Sequence, residues 1–137
     1  MNMSTESRLL LCLAGTFLLI ATIGGAVASH VLTGLDASAL HSFETAVDFQ
    51  FFHGLGLIGV VLVRSRIGGR LLRVAAWLLV AGTVLFCGSI YAVTFGAARG
   101  LLSAAPYGGV ALMLGWLTFA AGVWYRPGGN SQGSRYK

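Results

Sequence analysis

The stretch HSFETAVDFQFFH, residues 41–53, decides how this chain folds. It places two carboxylates, Glu44 and Asp48, and two imidazoles, His41 and His53, at the start of a segment that is otherwise apolar. Charged residues make up only 9% of the 137-residue chain, so charge in such a segment requires a reason. Because an ionisable side chain is costly inside a bilayer, these residues are candidates for a functional site.

The sequence on either side of this stretch is strongly apolar, with 56% hydrophobic residues overall and a mean hydropathy of +0.82. A membrane-spanning helix needs about 20 mostly apolar residues. Lipid offers the backbone no hydrogen bonds, so each such run must be helical. We therefore predict an all-α integral membrane four-helix bundle within residues 1–126, followed by a disordered Gly- and Ser-rich tail at 127–137. The predicted helices cover residues 9–29, 43–63, 74–95 and 104–125.

The net charge of +5 is unevenly distributed along the chain. Four crossings bring nearly all basic residues to one side, and only Arg99 lies on the other. The positive-inside rule then predicts that the basic side, with both termini, is cytoplasmic. Without a folded basic face the chain is not expected to bind nucleic acid, whereas its basic loop should attract anionic lipid headgroups weakly. The basic side holds Arg8, Arg64, Arg66, Arg70, Arg73, Arg126, Arg135 and Lys137.

The first run also has the features of a signal peptide, with Arg8 before an apolar segment and Ala26-Val27-Ala28 as a cleavage site. We favour an uncleaved helix, because residues 24–29 also suit helix packing. The two cysteines, Cys12 and Cys87, have no metal or disulfide spacing and are expected to be packing residues.

Small residues recur at intervals of four along three of the predicted helices. Such faces let helix backbones approach closely, either within the bundle or against another subunit. The expected helix-packing residues are Ala21, Gly25, Ser29, Gly88, Ala92 and Gly115. Ser38 is expected to cap the second helix. Aromatic residues near the helix ends, Trp77 and Trp116 among them, are expected at the membrane interfaces.

Depth and helical phase divide the opening stretch into two features. With Arg64 at the inner boundary, His53 lies about 16 Å deep, near the middle of a core about 30 Å thick, and Glu44 lies at the outer interface. His41, Glu44 and Asp48 share one helical stripe, whereas His53 faces elsewhere and is expected to form a polar pair with Gln50.

The acidic stripe has two interpretations. With His30 it could bind a metal or another cation. Alternatively, Glu44 and Asp48 form ion pairs with Arg99 and keep the helix end hydrated. We favour this second interpretation, because one helix supplies too few converging ligands for a metal.

His53 likewise has functional and structural interpretations. It could relay protons, contact a quinone or bind haem, but no second histidine lies at its depth, which leaves Met113 as the only partner for haem. We favour a neutral His53 bonded to Ser89, Thr83 or Tyr91 of a neighbouring helix. The chain shows no phosphate-binding glycine loop, metalloprotease motif or nucleophile elbow, so we assign no catalytic residue, metal or cofactor.

Four motifs in order resemble those of the YgdD-like small bacterial membrane proteins, a domain-of-unknown-function family with relatives in eukaryotes. They are GAVASH at Gly25–His30, FETAVDFQFFHGLGL at Phe43–Leu57, GSIY at Gly88–Tyr91, and APYGG at Ala105–Gly109 followed by Gly115-Trp116. Ala28 and Ser29 stand where the family's GAFGAH has Gly and Ala.

This resemblance implies a multi-pass protein of the bacterial inner membrane with no established activity. It also argues against signal-peptide cleavage, because a motif extends across the cleavage site. The resemblance assigns no role to individual residues of the motifs. The motif positions include His30, Glu44, Asp48, His53, Ser89 and Tyr91.

Three hypotheses about function follow. The first is a non-catalytic accessory or assembly subunit of a larger membrane complex, whose partners are the bilayer and other subunits or copies of itself. The second is a small oligomeric transporter or proton pathway using Glu44, Asp48 and His53. The third is a redox-cofactor or metal protein.

Overall fold

The computed structural model describes residues 3–125, which form four long α-helices joined by short connections. Each helix is long and apolar enough to cross a membrane. The predicted all-α fold with four spanning helices is therefore confirmed, while the predicted tail at 127–137 lies outside the described residues. The helices are α1 Thr5–His30, α2 Ala37–Ile67, α3 Arg70–Thr94 and α4 Ala104–Trp124, with a short 3-10 helix at Arg99–Ser103 before α4.

The first three helices begin before their predicted apolar runs, α2 by the largest margin. Its 31 residues span about 46 Å, more than the roughly 30 Å of a hydrocarbon core. The helix begins earlier than expected because Asp36 is its N-cap, accepting bonds from the N–H groups of Ser38 (3.0 Å) and Ala39 (2.9 Å). The prediction that Ser38 caps α2 is wrong, since Ser38 already lies within the first turn.

The helices pack in chain order, α1 on α2, α2 on α3 and α3 on α4. Side chains from all four helices form one apolar core. Because lipid tails are as apolar as these side chains, close packing and interhelical hydrogen bonds, more than burial itself, hold such helices together. The largest fully buried side chains in this core include Leu10, Leu57, Val60, Val61 and Leu79.

The closest approach between helices lies between α3 and α4. A Cβ added to Gly108 would collide with the backbone nitrogen of Phe86 and lie 2.9 Å from the carbonyl oxygen of Gly82. Further along α4, a Cβ on Gly115 would lie 2.9 Å from Leu79 Cδ2. Glycine at these α4 positions therefore lets the two helices pack backbone to backbone.

The structure corrects several of the predicted packing positions. Ala21 is 2% exposed, but a Cβ on Gly25 or Gly88 would have no neighbour within 4 Å, and Ser29 is exposed. In α1 the contact is made by Gly24, where an added Cβ would lie 2.8 Å from Val47 Cγ2. At 3.6 residues per turn, each step of four residues rotates the face by roughly 40°, so a strict i, i+4, i+8 stripe leaves the contact surface.

The predicted small-residue stripe on α3 likewise does not coincide with the buried face of the helix. Gly88 is exposed and Ala92 only partly buried, whereas Gly82, Thr83 and Cys87 are buried. Of the two uses predicted for these faces, contact within the bundle does not hold for Gly25, Ser29 and Gly88, and contact with another subunit stays a prediction.

Candidate functional site

The two acids of the opening stretch lie together on the outer surface of α2. Glu44 and Asp48 are exposed, one helical turn apart, and line a cavity of about 280 Å³. The opposite wall comes from the small residues Gly25, Ala28 and Ser29 of α1. The acids thus face a shallow cleft between α1 and α2, away from the core of the bundle.

The other predicted members of the acidic stripe lie outside this cleft. His30, the last residue of α1, and His41 are both exposed, and neither lines the cavity. Within residues 3–125, no group of three or more His, Cys, Asp or Glu side chains is placed to hold a metal ion. The cleft therefore presents two carboxylates rather than a converging ligand set.

Arg99 does not reach these acids. It begins the 3-10 helix and lines a separate cavity of about 550 Å³ with Asp36, Ser38 and Thr94. Both ion pairs found within residues 3–125 involve Glu6, and none involves Arg99. The predicted pairing of Arg99 with Glu44 and Asp48 is therefore wrong, because the 3-10 helix packs on α3 and α4 while the acids face α1.

His53 is bonded within its own helix. Its Nδ1 lies 2.6 Å from the carbonyl oxygen of Phe49, one turn earlier. The imidazole is half-buried, and its centroid is 6.1 Å from that of Trp116. That indole lies across α2, 2.6 Å from where a Cβ would sit on Gly56, so Trp116 is a helix contact and not an interfacial anchor.

None of the three predicted partners bonds to His53, and two of them bond within their own helix. Thr83 donates to the carbonyl oxygen of Leu79 (2.8 Å) and Ser89 to that of Phe86 (2.9 Å), each within α3. The Tyr91 hydroxyl is buried without a partner among residues 3–125. The prediction that His53 bonds across helices is wrong, because a backbone carbonyl one turn away is the nearer acceptor.

Gln50 and Cys87 supply the polar ties between helices at membrane depth. Gln50 is 3% exposed, and its Nε2 donates to the Phe17 carbonyl oxygen of α1 at 3.0 Å. The Cys87 thiol donates to the Ala46 carbonyl oxygen of α2 at 3.2 Å. Gln50 therefore faces α1, and the predicted pair of Gln50 with His53 does not form.

The best-connected polar site lies at the opposite end from the acids and is centred on Glu6. Oε2 of Glu6 accepts from Arg64 Nη2 at 2.7 Å. Oε1 accepts from Arg73 Nε at 2.7 Å and from Trp77 Nε1 at 2.9 Å. One carboxylate thus joins α1, α2 and α3, and we call these four residues the Glu6 cluster.

The surroundings of Glu6 strongly favour its charged form. Glu6 precedes the apolar run that begins at Leu9, so it lies outside the hydrophobic segment. The hydrogen bond from Trp77, followed by that from Arg64, outweighs desolvation and lowers the pKa of Glu6 to about 2. The carboxylate is thus ionised at all physiological pH values, and the cluster acts as a permanent ionic tie.

Sequence reasoning missed Glu6, although a signal was available. The other acids, Asp36, Glu44 and Asp48, all lie near the opposite end of the bundle. Glu6 is therefore the one acid on the side that carries nearly all the arginines, and that contrast predicts an ion pair. The choice of Arg64 and Arg73 as partners depends on helix packing and could not be read from the spacing.

These features define a class of protein: a multi-pass helical bundle in which a few polar side chains tie the helices together. Residues 24–109 match the profile of the family described as "Protein of unknown function (DUF423)". The chain belongs to this family, as its four motifs predict. No solved structure matches it.

Bacterial relatives agree with this assignment. The UPF0382 membrane protein of Haemophilus influenzae is 36% identical over 72% of this chain and 79% of its own length. That of Staphylococcus haemolyticus is 36% identical over 79% of this chain and 89% of its own length. The UPF0382 inner membrane protein YgdD of Escherichia coli K12 is 30% identical over 85% of this chain and 90% of its own length. The chain is a multi-pass protein of the bacterial inner membrane.

Proposed function

We propose that this protein is a non-catalytic accessory or assembly subunit of a larger membrane complex. The observation that carries the proposal is the placement of its glycines. One set fills the contacts within the chain, and a second set, including Gly25 and Gly88, lies on outer faces with no atom within 4 Å of an added Cβ. The second set is free to receive a helix from another subunit.

The face around Gly88 suits such a contact. Ala81 precedes it by seven residues on the same side of α3, and Ala92 follows by four. Small residues at this spacing let a second helix approach the backbone, which is the main attraction between helices in lipid. Gly59 of α2 is also open, but the residues seven before and four after it are Phe52 and Val63, where the Gly88 face has alanines.

The internal polar bonds support a non-catalytic role. Glu6, Gln50 and Cys87 each bond to another helix. Each of these side chains thus helps to hold the helices in register.

The same geometry favours this role over a transport pathway through one chain. Glu44 and Asp48 open into the cleft beside α1, whereas His53 lies against Trp116 of α4. Groups that relay an ion must face a common path, and these residues face different helices.

The test is native purification of the tagged chain at its natural expression level. We expect a native gel to show a species larger than a monomer that contains at least one other membrane protein, identified by mass spectrometry. Gly88→Leu should release the monomer because its side chain occupies the contact.

Gly59→Leu is the matched control, because it adds the same side chain at an equally open position of α2. It should leave the complex intact. A lone monomer, or a complex made only of copies of this chain, would contradict the accessory role.

A further inference from the structure

A cavity of about 520 Å³ opens at the basic end of the bundle, beside the Glu6 cluster. It is lined by the hydroxyl-bearing Ser4 and Ser7 of the N-terminal segment, by Gly68 and Gly69 of the α2–α3 turn, and by three arginines. The arginines are Arg64, Arg70 and Arg73. Since the cavity adjoins the ends of apolar helices, it lies where lipid headgroups meet the protein.

The charge of this cavity is only partly balanced. Glu6 is the one carboxylate bonded to its arginines within residues 3–125, so two of the three positive charges lack a counterion. Nη1 of Arg64 is buried without a hydrogen-bond acceptor. Arg73 uses Nε for Glu6, which leaves its two terminal nitrogens free to donate, and Arg70 is exposed. The accessible donors are therefore those of Arg70 and Arg73, and their uncompensated charge would stabilise an anion in the cavity.

Two further features favour an anion at this position. Glu6 fixes Arg64 and Arg73 by bonds of 2.7 Å, so their guanidinium groups are already oriented and need little ordering on binding. In addition, α3 begins at Arg70, and its N-cap Gly69 supplies no side-chain acceptor. The N–H groups of this first turn add partial positive charge to the same wall of the cavity.

We propose that this cavity is a binding site for a phosphate group, and specifically for the phosphate of an anionic phospholipid headgroup. Guanidinium groups form strong, charge-assisted hydrogen bonds to phosphate oxygens. The position of the site at the ends of the helices lets the acyl chains of the lipid remain beside the bundle. The proposal concerns a ligand of this chain alone and does not depend on the accessory role.

The experiment uses the full chain in non-ionic detergent at constant ionic strength. Short-chain phosphatidylglycerol, short-chain phosphatidylcholine and inorganic phosphate are titrated separately, and binding is followed by the shift in melting temperature and by native mass spectrometry. We expect saturable binding of about one phosphatidylglycerol per chain, with phosphatidylcholine clearly weaker. Equal saturation by inorganic phosphate would support the phosphate site while assigning it to a free anion.

Arg70→Gln tests the site, because Arg70 lines the cavity and has no bond within residues 3–125 whose loss would unfold the protein. It should weaken binding roughly fivefold, the effect of about one interfacial charge. Arg70→Lys, which keeps the charge, should restore part of the affinity. Arg66→Gln is the matched control, since Arg66 is exposed in the same basic segment but lies outside the cavity.

Two results would overturn the proposal. The first is the absence of saturation with either phosphatidylglycerol or inorganic phosphate. The second is equal weakening by Arg66→Gln and Arg70→Gln, which would show that the basic end attracts anions only through its overall charge.

Discussion

The two ends of the bundle hold their helices together in different ways. At the basic end, the Glu6 carboxylate joins three helices through Arg64, Arg73 and Trp77. At the opposite end, Glu44 and Asp48 remain exposed, and close packing takes over: Phe43 contacts Tyr91 at a centroid distance of 5.1 Å, and Gly108 lies against the backbone of Phe86. An acid therefore becomes structural only where helices bring donors to it from several sides.

The largest expected effect concerns which end faces the cytoplasm, because labelling is all or none. Ser38 and Ser65 are exposed near opposite ends of α2. With the basic end cytoplasmic, a membrane-impermeant maleimide added to cells with a permeabilised outer membrane should label Ser38→Cys and leave Ser65→Cys unlabelled. The unsubstituted chain, with Cys12 and Cys87, supplies the background. The reverse pattern would invert the predicted topology.

The next effect concerns the packed end. Gly108→Ala should lower the free energy of unfolding by about 3 kcal/mol, because the new methyl group meets the α3 backbone and forces the helices apart. Gly109→Ala is the control, since its added Cβ would first meet a Phe86 ring carbon at 4.0 Å. Thermal unfolding in detergent measures both variants. Similar melting temperatures for the two would refute the close α3–α4 contact.

A smaller effect is expected at the ionic end. Glu6→Gln should destabilise the protein by about 1–2 kcal/mol, because it leaves Arg64, with a side chain only 17% exposed, without its carboxylate. Glu44→Gln should change stability by less than about 0.5 kcal/mol, since that acid is exposed and unpaired within residues 3–125. Equal destabilisation by the two substitutions would remove the distinction between the two ends.

The smallest effect is the pH dependence of that same difference. The pKa of Glu6 is lowered from 4.5 to about 2, so its ionic tie is complete above pH 4.5 and is lost as the pH falls towards 2. The stability advantage of the natural chain over Glu6→Gln should thus be constant from about pH 8 to pH 5 and shrink below that. Melting curves of both proteins across this range provide the measurement. An advantage that already shrinks between pH 7 and pH 5 would contradict the stabilised charge of Glu6.

Comparison of prediction and structure shows which features depend on a single helix. The four apolar runs predicted the four helices, because the need to satisfy backbone hydrogen bonds in lipid acts on each run separately. The cap of α2 was misplaced by two residues, since Asp36 and Ser38 are both good capping residues and only the path of the chain selects between them.

The candidate site was harder to predict because it depends on helix rotation. The acidic pair Glu44 and Asp48 was found from its spacing on α2, but the predicted partners of Arg99 and His53 were wrong. A rotation of roughly 100° separates Gly24, which contacts α2, from its neighbour Gly25, where the predicted stripe runs. The residue pattern of one helix does not show how the neighbouring helices are rotated against it.

The sequence by itself determined the class of protein, its four membrane-spanning helices and its family, because hydrophobic length and ordered motifs are properties of the chain alone. Only the tertiary structure decided which polar residues meet. It joined Glu6 to arginines 58 and 67 residues away and left Glu44 and Asp48 exposed. The physical reason is that an ion pair needs two groups within a few ångströms, and that distance is set by how the helices pack.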